Sequence, residues 1–542
     1  MPLLLIACAY LVGIYLVPFK MMHFNFSAIP GDLGDARLNN YVLEHGYKWI
    51  NGHVTSFWNA PFFYPATQVT SFADNHLGTL PIYSFFRLFN FDRETSYQLW
   101  FLAIFTLNYF CCIWVLRKMS INAVGSAAGA YVFAFSLPVI ARIGHSQLLP
   151  RFMIPFAFYY AWQYFEKGDS KEFALACLAV VIQFYCSIYM GFFLVLGLLA
   201  LLLAFIYIQN NRSVLLEIVW GSYQRIVFRI IIISLSALSL LPLIIPYYRT
   251  SLEYGMRSWA EIATMLPRVS SYFYPADGSY LWDWLSAMGR TLPMAHEHQI
   301  FIGVIPLLTF VLMPVYYFRH CNDPLVKKGM TAFIATALLI ILTLNVVGNY
   351  SLYEFALFLP GLKAIRAVTR IILMLLFPLA VILGLFIHSI SENRRLQSHP
   401  IAKIILSFVA MFVLVLDQNV TVGGFATYPK LASQQRSTHI EKLVLQKGSE
   451  IRVFAYMPDK SSDPPYVVHL DAMMAAQNLN MATVNGYSGF YPKYYDDFYN
   501  NFDQCYSLLK WENLSTKRYG VDYQSNVRVN NIIIIGREDC IF

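Results

Sequence analysis

Two aspartates stand three residues apart in Pro30-Gly31-Asp32-Leu33-Gly34-Asp35-Ala36-Arg37, shortly after the first apolar run of the chain. A sugar or lipid hydroxyl is a poor nucleophile until a positioned carboxylate takes its proton in the transition state. Two acids at this spacing could act as a base and its orienting partner, or share a divalent cation. Leu38, Val42, His45 and Trp49 follow as a largely apolar stripe at helical spacing. The stripe predicts an amphipathic helix lying on the membrane surface, with the aspartates just before or at its start. Aspartate is also among the best helix-capping residues, which is the plain alternative for either acid.

A second group is cationic. Lys363, Arg366 and Arg370 lie in Pro360-Gly361-Leu362-Lys363-Ala364-Ile365-Arg366-Ala367-Val368-Thr369-Arg370, on the face of the membrane where orientation by Lys and Arg does not call for them. Arg366 and Arg370, four apart, would share one helical face and form a fork suited to a phosphate. Two guanidiniums there would also stabilise the charge left on a departing phosphate, with anchoring to anionic headgroups as the alternative role.

Further polar residues could wall a pocket on the same face. Asp74 and His76 fall in a Pro- and aromatic-rich loop running from Trp58 to Pro81, rigid enough to point polar groups inward. His145 and Gln147 sit at the outer end of a span, and Glu297, in His296-Glu297-His298, is a polar contact at the mouth of the next. The two histidines are i, i+2 and would point to different faces of a helix, so no metal site is assigned to them. Tyr487 belongs to the turn-rich aromatic loop from Val484 to Pro492, which could reach back to cover the cavity.

The elements that must hold these residues are read from hydropathy. Hydrophobic residues make up 57% of the 542 and charged ones 13%, against about 45–50% and 25% in soluble domains, so most of the chain belongs in lipid. Apolar stretches near 3–18, 97–116, 121–140, 150–165, 172–187, 189–208, 226–245, 299–318, 329–346, 370–390 and 402–416 give about eleven candidate spans. The connectors carrying the routine Lys and Arg face the cytoplasm, which puts the N-terminus inside and the C-terminus outside. The opening run lacks a small-residue cleavage site and reads as a retained span.

Residues 1–416 are thus expected to form a membrane domain with long outer loops at 20–96, 247–299 and 348–370. Residues 417–542 form a small extracytoplasmic α/β domain, with strand-like runs at Ile451 to Ala455 and Ile532 to Ile535 and a helix-like stretch from Asp471 to Leu479. Cys505 and Cys540 fall in this outer segment, where a disulfide can persist; the other six cysteines stand at no metal-ligand spacing. The net charge of +8 is read as topology and not as a nucleic-acid footprint. Phosphate-loop, dinucleotide-binding and H-E-x-x-H motifs are all missing, which argues against a nucleotide-driven machine.

The arrangement resembles the GT-C superfamily of integral-membrane glycosyltransferases. The resemblance rests on Asp32 to Arg37 after the first span, Asn59 to Pro65, Ala73 to His76, Ser271 to Pro275, Ile365 to Arg370 and Asn485 to Gly489. The chain looks especially like a group of uncharacterised bacterial membrane proteins carrying these segments. The resemblance implies inverting transfer of a sugar from a polyprenyl-phosphate donor to a cell-envelope glycan, such as O-antigen, or to a lipid-linked acceptor, at the outer face of a bacterial inner membrane. It makes the acid of the first outer loop the base, which maps onto Asp35 first and Asp32 second, and it carries over no fixed cofactor because metal dependence varies within the superfamily. The acidic pair of many members is adjacent or one apart, whereas here it is three apart. The alternative from another class is a transporter or a lipid or oligosaccharide flippase, in which charges gather near the bilayer midplane within broken helices.

Overall fold

The computed structural model describes residues 2–209, 222–346, 348, 350–359, 361–392, 398–448, 452–459, 461–519, 532–537 and 539–540. Connector residues 210–221 and 393–397, Pro360 of the cationic segment and Ile451 of the first strand-like run lie outside them.

Seven helical segments are long and apolar enough to cross a membrane: Arg93–Lys118, Ala123–Ile140, Ile188–Gln209, Tyr223–Tyr254, Pro324–Thr343, Val368–Ser391 and Pro400–Asp417. Leu3–Phe19 and Val304–Arg319 are shorter apolar helices, and Met153–Lys167 and Ser170–Cys186 occupy the two remaining predicted stretches. The tightest crossing joins Ala123–Phe135 to Ile372–Ser391. A Cβ on Gly125 or Gly129 would strike the backbone carbonyls of Gly384 and Ala380, so these two glycines, four apart, let the helix backbones touch. The Ile372–Ser391 helix is buried along almost its whole length and forms the centre of the bundle.

The first outer loop and the segment after the last span are interlocked. Strand β1 (Ala28–Pro30) pairs antiparallel with β2 (Thr427–Pro429), with Ile29 opposite Tyr428. Strands β3 (Val453–Tyr456), β4 (Ala482–Thr483) and β5 (Ile532–Ile535) form a parallel sheet in the order β4-β3-β5. The predicted strand-like runs fall on β3 and β5, while the helix expected from Asp471 begins earlier, at Pro465, and ends at Leu479. One apolar core joins Leu38, Tyr41, Val42, Phe57, Phe62 and Phe63 of the first loop to Val453, Leu470, Met473, Tyr495 and Trp511. Cys505 and Cys540 are disulfide-bonded.

The expectation of a surface helix after the aspartates is corrected by this packing. The helix exists as Asp35–Ile50, but every residue from Ala36 to Gly46 is buried. Its polar face is covered in part by the Pro465–Leu479 helix, while Glu44 is met by Arg87 at 2.8 Å and the Tyr83 hydroxyl at 2.7 Å. Arg37 donates to Asp471 at 2.6 Å, Gln477 to the Tyr41 carbonyl at 2.9 Å, and Lys48 to Asn480 at 2.7 Å.

Candidate active site

Asp35 opens its helix with both carboxylate oxygens engaged. Oδ1 accepts the Tyr487 hydroxyl hydrogen bond at 2.8 Å, and Oδ2 lies 2.8 Å from His145 Nδ1. On the other side of the ring, His145 Nε2 is 3.4 Å from Glu297 Oε1. Glu297 in turn accepts from Arg370, whose Nε is 3.2 Å from each oxygen and whose Nη2 is 2.5 Å from Oε1. Arg142 adds a second guanidinium 3.6 Å from Glu297 and bonds the His296 and Glu297 carbonyls. The result is a row of alternating charge, Asp35, His145, Glu297, Arg370, drawn from four separate stretches of chain. Its base is sealed, with the Glu297 side chain 2% exposed, and its mouth is open, with Asp35 at 31%.

The charges set the protonation of the row. Burial alone would raise the Asp35 carboxyl, but His145, the Tyr487 hydroxyl and Arg370 outweigh it and hold it at about 2. Burial and Arg370 work against the charged form of His145, yet Asp35 and Glu297 on its two nitrogens hold it above the ordinary imidazole range. Asp32 behaves differently. Enclosure by protein and then the charge of Asp35 push its carboxyl up. Its Oδ1 accepts the backbone N–H groups of Gly34 at 3.1 Å and Ala36 at 3.2 Å, the capping role anticipated for one of the two acids. The carboxyl itself still reaches solvent.

The predicted arginine fork is not formed. Leu362–Ala364 and Val368–Ile371 are separate 3₁₀ turns with an extended Ile365 between them, so Arg366 and Arg370 share no helical face. Arg370, expected at the donor phosphate, is instead committed to Glu297 and lies over the Tyr189 ring at 5.1 Å. Arg366 remains at the surface, 37% exposed, 3.6 Å from Glu261 Oε1. Arg257 reaches the same oxygen at 3.3 Å, donates to the Gly489 carbonyl at 3.0 Å and covers the Phe490 ring at 3.9 Å. Lys363 is exposed, and its carbonyl accepts the Arg257 backbone N–H at 3.3 Å. The loop carrying Tyr487 therefore touches the acids at one end and this cationic group at the other.

Asp74, His76 and Gln147 are each hydrogen-bonded to neighbouring segments of the chain. Asp74 accepts from Ser187 Oγ at 2.7 Å and the Ile188 N–H at 2.9 Å, capping the Ile188–Gln209 helix from a distant loop. His76 Nε2 is 2.8 Å from Asn39 Oδ1, and Asn39 donates to Gln147 at 2.8 Å, which ties the loop to the Asp35–Ile50 helix and the turn bearing His145. His145, Glu297 and Tyr487 lie together with Asp35. Arg142, Arg257 and Glu261 were not anticipated. Arg142 and Arg257 carried the same signal as Arg366: cations in segments that the expected orientation places on the side where Lys and Arg are not called for. Ligand atoms of His145, His296 and Glu297 lie within 4.8 Å of one another, but a cation there would compete with Arg370 for the same carboxylate.

A family model described as a domain of unknown function (DUF6311) matches residues 82–232. No curated protein matches the chain. Among solved structures, it is similar to the Archaeoglobus fulgidus oligosaccharyltransferase in its apo form, at 11% identity and a TM-score of 0.49, over 90% of this chain and 64% of that one. The oligosaccharyltransferase AglB from the same organism, in complex with an inhibitory peptide and a dolichol-phosphate, gives 11% identity and 0.46 over the same shares. The arabinofuranosyltransferase AftD from Mycobacteria gives 14% identity and 0.46, over 84% of this chain and 29% of that one. The chain thus spans under two thirds of the length of each.

Proposed function

We propose that this chain is a membrane glycosyltransferase that moves a sugar from a polyprenyl-phosphate donor to an acceptor hydroxyl at the outer face of a bacterial inner membrane. The observation that carries the reading is one loop, residues 485–491, joining an acid pair to a cationic group: Tyr487 on Asp35 and Gly489 with Phe490 on Arg257. A base and a phosphate site a few residues apart are what displacement at an anomeric carbon needs.

In this reading Asp32 is the base and Asp35 its partner, the reverse of the order expected from sequence. A carboxylate with both oxygens engaged and a pKa of about 2 is a poor proton acceptor, whereas a raised, solvent-reaching carboxyl is a better one. The acceptor oxygen bonds to the anomeric carbon as its proton passes to Asp32. The bond from that carbon to the phosphate oxygen breaks, and the lipid phosphate leaves with the electron pair and with inverted stereochemistry at carbon. Arg366, Arg257 and Lys363 take the phosphate charge. Arg370 acts one layer back, fixing Glu297 and through it His145. Residues 417–542 serve as an outer domain that closes the site, and the eleven helices as its membrane anchor with the N-terminus inside.

The grouping of charge at helix ends favours transfer over transport: Arg370 stands in the first turn of the Val368–Ser391 segment, and Asp35, His145 and Glu297 lie outside the segments long and apolar enough to span a membrane. The test is equilibrium binding of a polyprenyl-phosphate sugar to the purified full chain in nanodiscs, with Arg257→Ala and Arg366→Ala beside it. Each variant should weaken binding about ten-fold, as loss of a charge-assisted hydrogen bond does. Wild-type protein that binds none of a panel of such donors would remove the reading.

A further inference from the structure

Two tyrosines from the segment after the last apolar helix, Tyr466 and Tyr487, stand beside the acid pair, and a second pair, Tyr491 and Tyr499, belongs to the same segment. The Tyr466 and Tyr487 ring centroids are 5.9 Å apart, and those of Tyr491 and Tyr499 are 4.7 Å apart. All four are half-buried, so each keeps surface open to solvent. They rest on a buried floor: His469 stacks on Tyr499 at 4.9 Å and 9°, and Tyr495 lies 6.4 Å from Tyr491 at 18°. Gly34, between the two aspartates, lies against Tyr466 and Tyr487. A Cβ there would meet the Tyr466 ring and the Tyr487 hydroxyl, each at 3.5 Å.

We infer that this tyrosine wall is the acceptor subsite and that it takes a pyranose ring, making the acceptor a glycan; the inference rests on the transferase reading above. In an inverting displacement the acceptor and the departing phosphate approach the reacting carbon from opposite faces. The cations that hold the phosphate lie at the Gly489 and Phe490 end of the loop, so the acceptor belongs at the other end, beside Asp32, where Tyr466 and Tyr487 stand. A pyranose has an apolar C–H face edged by hydroxyls. An aromatic face edged by phenol hydroxyls and carboxylates complements both, because the ring supplies rigid apolar area and the edge supplies hydrogen bonds. A lipid acceptor would call for an apolar groove at this place, and the wall is instead tyrosine hydroxyl and carboxylate.

The test uses the full chain in nanodiscs and saturation-transfer NMR from protein aromatic protons to a panel of methyl pyranosides: glucoside, galactoside, mannoside and N-acetylglucosaminide. A short serine-containing peptide is the competing probe, and binding of a polyprenyl-phosphate sugar is measured on the same samples. At least one pyranoside should bind wild type. Tyr466→Ala should weaken it roughly ten-fold, Tyr466→Phe should retain most of the affinity, and donor binding should be unchanged in both. Donor binding with no pyranoside binding would overturn the inference and leave the transferase reading standing. So would pyranoside affinity equal in wild type and Tyr466→Ala, or binding of the peptide that Tyr466→Ala abolishes. Pyranoside binding through the wall without donor binding would support the subsite and sink the transferase reading.

Discussion

Glu297→Gln is the sharpest structural test, because the substitution keeps shape and removes one charge from the centre of the row. Arg370 is 5% exposed and makes three contacts below 3.3 Å with Glu297, and Arg142 is 1% exposed beside it. Taking one partner from a buried pair leaves an unpaired buried charge and costs roughly 3–5 kcal/mol. The Tyr189 face under Arg370 is present in both proteins and so offsets none of this. The expectation is a loss in that range, read as a shift in reversible unfolding in mixed micelles. The double variant with Arg370→Gln should recover about 2 kcal/mol of the loss, since the orphaned guanidinium is gone. The pH dependence has a definite sign. Burial opposes the Glu297 charge, but Arg370, His145 and Arg142 hold the carboxyl well below its ordinary value. Its contribution is therefore present above the unfolded pKa of about 4.3 and lost only as pH falls through the lower folded value, so the gap between wild type and variant should persist from pH 5 to 8. A loss under about 0.5 kcal/mol, the range of unremarkable surface changes, would refute the claim of a sealed, paired carboxylate.

His145 carries the opposite sign: its raised pKa means that its stabilising contacts are complete below about pH 6.5 and fade as pH rises through the folded value, which a His145→Gln comparison across pH 6–9 would reveal. Asp74→Ala should lower stability by about 1–2 kcal/mol through loss of the cap on Ile188–Gln209, with donor affinity nearly unchanged, measured on the same micelle series. Removing the Cys505–Cys540 bridge, which closes 35 residues, should cost about 3–4 kcal/mol on the chain-entropy relation, read by protease sensitivity of residues 505–540 under reduction. Gly129→Leu should disrupt the crossing on Ala380 and lower the yield of folded protein, whereas Ala134→Gly in the same helix should not.

The apolar helices were readable from sequence because hydropathy depends on local composition. Hydropathy marked the helices, and the orientation rule marked Lys363, Arg366 and Arg370 as cations needing a reason. The same rule, applied to Arg142 and Arg257, would have found two more members of the site. What sequence could not supply was the partner of each charge. Arg370 faces Glu297, 73 residues away, and Asp35 faces Tyr487, 452 residues away; no local spacing encodes such pairs. The helix after the aspartates was misplaced for the same reason. Its stripe was read against lipid, although Asp471 and Gln477 of the distant Pro465–Leu479 helix are what cover Arg37 and Tyr41. The arginine fork failed through local backbone: an extended Ile365 interrupts the helical register that four-residue spacing assumed.

Transfer of radiolabelled sugar from a polyprenyl-phosphate donor to a glycan acceptor, compared among wild type, Asp32→Asn and Asp35→Asn, tests the central claim most directly. The account predicts wild-type transfer that rises with pH through a value above the ordinary aspartate range, as the Asp32 carboxyl, raised by enclosure and by the charge of Asp35, ionises. It predicts loss of at least about a hundred-fold in folded, donor-binding Asp32→Asn, and a smaller loss in Asp35→Asn. Full transfer by Asp32→Asn would contradict the base assignment, and transfer by wild type, Asp32→Asn and Asp35→Asn alike would contradict the acid pair as the catalytic centre.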